Sequence, residues 1–188
     1  MKKIYMIHCW GGNSKENWYP WLKKELEKKD INVSVFDMPN TEYPKIEEWV
    51  KYLEKNVENV DGETYFVGYS IGCQTIIRFL EKLHKHKKIG GCFFIAPWFN
   101  LINLNNEEME IAHPWLNSKV DFSRIKDRCD NFTAIFSDND PYVPVSDAEI
   151  FKDKLNAKVI TEKNRGHFTE KIEPIILSEL LKFLKIKP

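Results

Sequence analysis

Six short apolar runs alternate with amphipathic stretches along the 188 residues, and this alternation limits the fold more than any other feature of the chain. Ile4 to His8, Val33 to Phe36, Thr64 to Val67, Gly91 to Ala96, Phe132 to Phe136 and Lys158 to Ile160 read as strands. Between them apolar residues recur at three- and four-residue spacing. Trp18, Trp21, Leu22 and Leu26 form one such stripe, and Ile46, Trp49, Val50, Leu53 and Val57 a second. Ile76, Phe79, Leu80 and Leu83 form a third, and Ala148, Phe151 and Leu155, then Ile176, Leu180, Phe183 and Leu184, complete the set. These are the buried faces of helices. Gly91 to Ala96 is apolar without alternation, as a strand covered on both sides requires, so it belongs in mid-sheet. Repeated βα steps force right-handed crossovers, which predicts a mostly parallel six-stranded sheet between two helical layers, a three-layer α/β sandwich. Pro97 to Arg124 is the irregular segment, broken by Asn100, Asn103, Asn105 and Asn106, with only a faint helical pattern at Glu107 to Ile111. It is too short for a separate lid domain and long enough for a small flap. No linker, repeat or low-complexity tract divides the chain, so residues 1–188 read as one domain.

Composition removes several classes of partner. Twenty-eight Lys and Arg balance twenty-eight Asp and Glu, so no overall field draws nucleic acid or anionic lipid to the surface. The first apolar run is interrupted at His8 and lacks a small-residue cleavage site, and no run approaches the roughly 18 apolar residues of a membrane span. Cys9, Cys73, Cys92 and Cys129 contain no Cys-x-x-Cys pair and read as free thiols, which points to the cytoplasm. His84 and His86, two residues apart in a basic run, face different sides of a helix and cannot chelate together. Asp37 and Glu42 follow the second strand, yet no Gly-x-Gly-x-x-Gly follows the first. The chain is therefore expected to use no metal and no cofactor.

Chemistry concentrates at the predicted carboxyl ends of the strands. Gly68-Tyr69-Ser70-Ile71-Gly72 lies between a strand and a helix, the setting in which Gly-x-Ser-x-Gly turns a serine out of the sheet as a nucleophile. A serine hydroxyl needs a base, and the base needs a carboxylate to fix its tautomer. Of five histidines, His167 follows the last strand and sits behind a flexible Gly166, on the same sheet edge as Ser70. Asp138 and Asp140 follow the fifth strand. Asp140, 27 positions before His167, is the assigned acid, and Asp138 is left to shape the turn. The order Ser, Asp, His is that of α/β-hydrolases. The oxyanion hole is expected from the N–H of Ile71, next after the nucleophile, and from that of Trp10 in the loop His8-Cys9-Trp10-Gly11-Gly12. Tyr69, Trp98, Phe99, Tyr142 and Phe168 are the candidate walls of a substrate pocket.

These motifs, with the helix start Trp18-Tyr19-Pro20-Trp21-Leu22 and Gly166-His167-Phe168, resemble the small lid-less α/β-hydrolases that include retinoblastoma-binding protein 9 and YdeN-type serine hydrolases. The resemblance runs nearly end to end. It implies an α/β-hydrolase fold with Ser70 as nucleophile, Asp140 as acid and His167 as base, and no defined physiological substrate. None of the cysteines stands in a Leu-x-Cys-x-Glu context, so no retinoblastoma partner is carried over. The expected activity is hydrolysis of a small-molecule ester or amide through an acyl-serine, with a carboxylesterase favoured over an amidase or aminopeptidase. An interaction module with an idle triad is the competing class.

Overall fold

The structure, a computed structural model, describes residues 1–187. Six strands form one sheet in the order β2-β1-β3-β4-β5-β6. They are β1 (Lys3–Ile7), β2 (Asn32–Phe36), β3 (Thr64–Tyr69), β4 (Gly91–Ile95), β5 (Phe132–Ser137) and β6 (Lys158–Glu162). All five pairings are parallel, so the sheet is more uniform than the mostly parallel one expected. β3, β4 and β5 are buried at every position, which matches their unbroken apolar sequence.

The helices are α1 (Tyr19–Glu27), α2 (Ile46–Asn56), α3 (Ile71–Lys82), α4 (Asn106–Asn117), α5 (Phe122–Arg128), α6 (Asp147–Leu155) and α7 (Pro174–Phe183). Aromatic contacts show how they divide between the two faces. Phe66 and Phe94 share one face of the sheet, where Phe66 meets Phe79 of α3 and Phe94 meets Phe151 of α6. Tyr65 and Phe93 point the other way and pack on Phe183 of α7, while Tyr69 packs on Trp18 and Tyr19 at the start of α1. Among the described residues no helix is long and apolar enough to cross a membrane.

The segment read as irregular contains two helices, α4 and α5. Asn105 caps α4: its side chain accepts from Glu108 N–H at 2.9 Å, and Glu108 Oε2 accepts from Asn105 N–H at 2.8 Å. Asp121 caps α5 through Ser123 and Arg124. The periodicity there is weak because α4 buries only Ala112 and Trp115, and Pro114 interrupts its last turns. The caps, rather than an apolar stripe, mark these helices.

The chain runs from β1 outward to β2, crosses back to β3, and then proceeds through β4, β5 and β6 on the other side. Strand order therefore reverses at the β1–β3 pair, and ligands of open α/β sheets bind beyond the carboxyl ends at such a point. Here those ends carry His8 and Ser70.

Candidate active site

Ser70 occupies the single residue between β3 and α3, with φ 53° and ψ −119°. A non-glycine residue held there costs about 1–3 kcal/mol and persists only where its surroundings enforce it. Ser70 N–H donates to Ile95 O at 2.9 Å, and Cys73 N–H donates to Ser70 O at 3.0 Å. Both flanking glycines are steric requirements. A Cβ on Gly68 would lie 2.8 Å from the main chain of Cys73, and one on Gly72 would lie 2.8 Å from His8 O and closer still to Ile7 O. Helix α3 thus starts hard against the ends of β3 and β1, with Ile71 as its first residue.

His167 and Asp140 come together from loops after β6 and β5. His167 Nδ1 lies 2.7 Å from Asp140 Oδ2. The other carboxylate oxygen accepts the N–H groups of Tyr142 at 2.9 Å and Val143 at 3.0 Å, so the acid is oriented from both sides. With Nδ1 donating to the carboxylate, Nε2 is left free to accept a proton. Neighbouring residues pin the histidine loop: Asp138 Oδ1 accepts from Asn164 N–H at 2.8 Å, Ser137 Oγ from Arg165 N–H at 3.0 Å and Asn139 Oδ1 from Gly166 N–H at 2.8 Å. The Tyr69 hydroxyl donates to His167 O, and Trp18 Nε1 to Phe168 O at 3.0 Å. Asp138 thus serves the loop and Asp140 the ring.

Ser70 and His167 share the wall of a cavity of about 560 Å³. Ser70 Oγ makes no hydrogen bond to a described residue, His167 included. Trp10 and three of the predicted pocket residues, Tyr69, Trp98 and Tyr142, line this cavity, and Tyr142 stands edge-on to the His167 ring. Phe99 and Phe168 do not. Phe99 turns away to pack on Phe122 and Phe151, and Phe168 is fully buried beneath the loop that its carbonyl anchors to Trp18. Both rings satisfy the core first, which position near the mouth did not reveal.

Residues missed at the sequence level come from the β2–α2 loop (Glu42 and Tyr43), the β4–α4 loop (Leu101 and Leu104) and α4 (Glu107 and Ile111), which line the remaining wall. The Asn105-x-x-Glu108 cap was the available signal for a helix here. Burial pushes the Cys9 thiol up to about 11, so it stays protonated at neutral pH beside the serine. Among the described residues no cluster of three or more His, Cys, Asp or Glu side chains is arranged to hold a metal.

A parallel sheet with a serine at the turn from its third strand into the following helix defines an α/β-hydrolase. The chain belongs to the serine hydrolase family, whose family model matches residues 4–173. It is 28% identical over 169 residues to YdeN of Bacillus subtilis, covering 90% of this chain and 87% of that one. The serine hydrolase RBBP9 of Rattus norvegicus is 23% identical over 161 residues, covering 84% and 81%. The crystal structure of the Bacillus subtilis ydeN product superposes with a TM-score of 0.89 at 25% identity, over 98% of this chain and all of that one. Est1E from Butyrivibrio proteoclasticus with bound ferulic acid shares the fold, with a TM-score of 0.74 at 13% identity over 98% and 88%.

Proposed function

We propose that this hydrolase cleaves small-molecule carboxylic esters through an acyl-Ser70 intermediate, with His167 as general base and Asp140 as its orienting acid. The observation that carries the reading is the 2.7 Å contact between His167 Nδ1 and Asp140 Oδ2, on a loop that shares one cavity with Ser70. His167 Nε2 takes the serine proton as Oγ bonds to the acyl carbon. The carbonyl π pair moves to oxygen, and the N–H groups of Ile71 and Trp10 receive that oxyanion. The tetrahedral adduct then expels the alkoxide, which leaves with the proton from His167. Water adds to the acyl-enzyme by the same route in reverse, releasing the acid and restoring Ser70.

A fluorophosphonate probe should label the wild-type protein and spare Ser70→Ala. Short-chain p-nitrophenyl esters should be turned over by the wild type and lost in His167→Ala. Equal labelling of wild type and Ser70→Ala would remove the serine from this role, and unchanged turnover in His167→Ala would remove the base.

A further inference from the structure

We infer that His8, a buried neutral imidazole outside the triad, is the positioning residue that aims the Trp10 N–H into the cavity as an oxyanion donor. The inference rests on the acyl-Ser70 reading and adds what holds its second donor in place.

His8 is fully buried at the end of β1, edge-on to Trp49. Its two ring nitrogens face opposite kinds of partner. Met38 N–H lies 3.0 Å from Nε2 and can only donate, so Nε2 is the unprotonated nitrogen. Nδ1 therefore carries the hydrogen and donates to Cys9 O at 2.7 Å. The main chain thus selects one neutral tautomer, and burial lowers the pKa of this histidine in the same sense.

That donated hydrogen bond sets a peptide plane. Cys9 O also accepts from Gly12 N–H at 3.2 Å, so the carbonyl is held by two donors on one side. The described chain has no cis peptide, and in a trans peptide N–H and C=O point in opposite directions. Fixing Cys9 O toward His8 therefore turns Trp10 N–H the other way. Every neighbouring amide in the loop is already occupied: Cys9 N–H donates to Tyr19 Oη at 3.1 Å, Gly11 N–H to Thr41 O at 2.9 Å and Gly12 N–H to Cys9 O. From Cys9 to Gly12, only the Trp10 N–H has no acceptor among the described residues. Cys9, Trp10 and Gly11 line the cavity with Ser70, and the close approach of Gly72 to Ile7 and His8 sets Ile71 N–H beside the same loop.

Two substitutions separate the two arms of the imidazole. Asn carries an N–H at the same bond distance from Cα as Nδ1, so His8→Asn keeps the donation to Cys9 and loses the acceptor for Met38. Gln places its acceptor near the position of Nε2, so His8→Gln keeps Met38 and loses the donation. With p-nitrophenyl acetate, His8→Gln should lose about 100-fold in kcat, the scale of removing one oxyanion donor, with KM changed less than about threefold. His8→Asn should recover at least tenfold of that loss although both variants melt below wild type. Equal kcat in two folded variants would overturn the positioning role, as would a loss confined to KM. If His8→Gln does not fold, the rate of Ser70 fluorophosphonate labelling in His8→Asn decides: labelling within about tenfold of wild type supports the role, and a larger loss overturns it. Retained activity in His8→Gln alongside inactive Ser70→Ala would sink this inference and leave the acyl-serine reading standing, whereas an unlabelled wild type would sink both.

Discussion

Asp138 and Asp140, two residues apart on one turn, divide the histidine loop between them: Asp140 takes the ring of His167 at 2.7 Å and Asp138 the main-chain N–H of Asn164 at 2.8 Å. Asp140→Asn keeps the volume but offers Nδ1 an amide in place of a carboxylate, which favours the wrong tautomer and removes the charge that stabilises the imidazolium. A fall of about 10⁴ in kcat is expected. Asp138→Asn, exposed and one step removed, should cost less than about tenfold in kcat and about 1 kcal/mol in stability. Steady-state kinetics on the two variants reads the difference directly, and comparable losses would contradict the division of labour.

The elbow conformation of Ser70 predicts a stability effect that separates from activity. Ser70→Ala and Ser70→Gly both remove the hydroxyl and should both be inactive. Only glycine tolerates φ 53° and ψ −119° freely. Relief of strain worth about 1–3 kcal/mol is partly offset by the extra freedom glycine gives the unfolded chain, about 0.5–1 kcal/mol. Ser70→Gly should therefore melt above Ser70→Ala, by a few degrees for a domain of this size. Calorimetry of the two inactive proteins tests this.

Much of this architecture was legible because buried parallel strands and amphipathic helices leave strong periodic signals, and because Gly68, Ser70 and Gly72 meet a backbone demand that few other residues satisfy. The two loops that carry the proposed acid and base were placed at one sheet edge for a related reason: Asp140 and His167 each follow a strand there. What was not legible depends on side chains choosing between two environments. Phe99 and Phe168 lie next to the mouth in sequence, yet each ring turns into the core. Helix α4 left only the faint pattern at Glu107 to Ile111 because it buries just Ala112 and Trp115.

Arg78 anchors that helix. Its guanidinium, buried in α3, donates to Trp115 O at 2.7 Å and to Ser118 Oγ, both at the end of α4, and also to Gln74 on its own helix. Among the described residues no carboxylate forms an ion pair with it, and burial lowers its pKa to about 10 against the weaker pull of Glu81. Arg78→Met fills much of the space but leaves the Trp115 carbonyl unpaired, at a cost of about 1–3 kcal/mol. Helix α4 supplies Glu107, Glu108 and Ile111 to the cavity and no member of the proposed triad. KM should therefore rise several-fold while kcat changes little; a loss confined to kcat would argue against this anchoring role.

The charges around the cavity predict a substrate preference. Glu42, Glu107 and Glu108 line it and no Lys or Arg does. Tyr43 Oη donates to Glu107 Oε1 at 3.0 Å and keeps one of these carboxylates in place. Acetylcholine and its uncharged isostere 3,3-dimethylbutyl acetate differ in charge and hardly in shape. The cationic ester should show about tenfold higher kcat/KM at low salt, and the gap should narrow as ionic strength rises. Glu42→Gln combined with Glu107→Gln should close most of it. Equal rates for the two esters at low salt would reject the preference.

The protonation state of His8 gives stability a direction with pH. Burial is the dominant influence and lowers its pKa from the ordinary 6.5, against the weaker pull of Asp37, Glu16 and the Cys9 carbonyl. The Cys9 thiol, pushed up to about 11, contributes no charge. Because the folded state binds this proton less readily than the unfolded state, stability from His8 is fully present above pH 6.5. It is lost as pH falls through 6.5 toward the lower folded value. Protonation would also set an N–H on Nε2 against the N–H of Met38, 3.0 Å away. Thermal melts between pH 8 and pH 5 should show a decline that begins near 6.5 and is shallower in His8→Asn, which has nothing to titrate at this position. An identical slope in the two proteins would place the acid sensitivity elsewhere in the molecule.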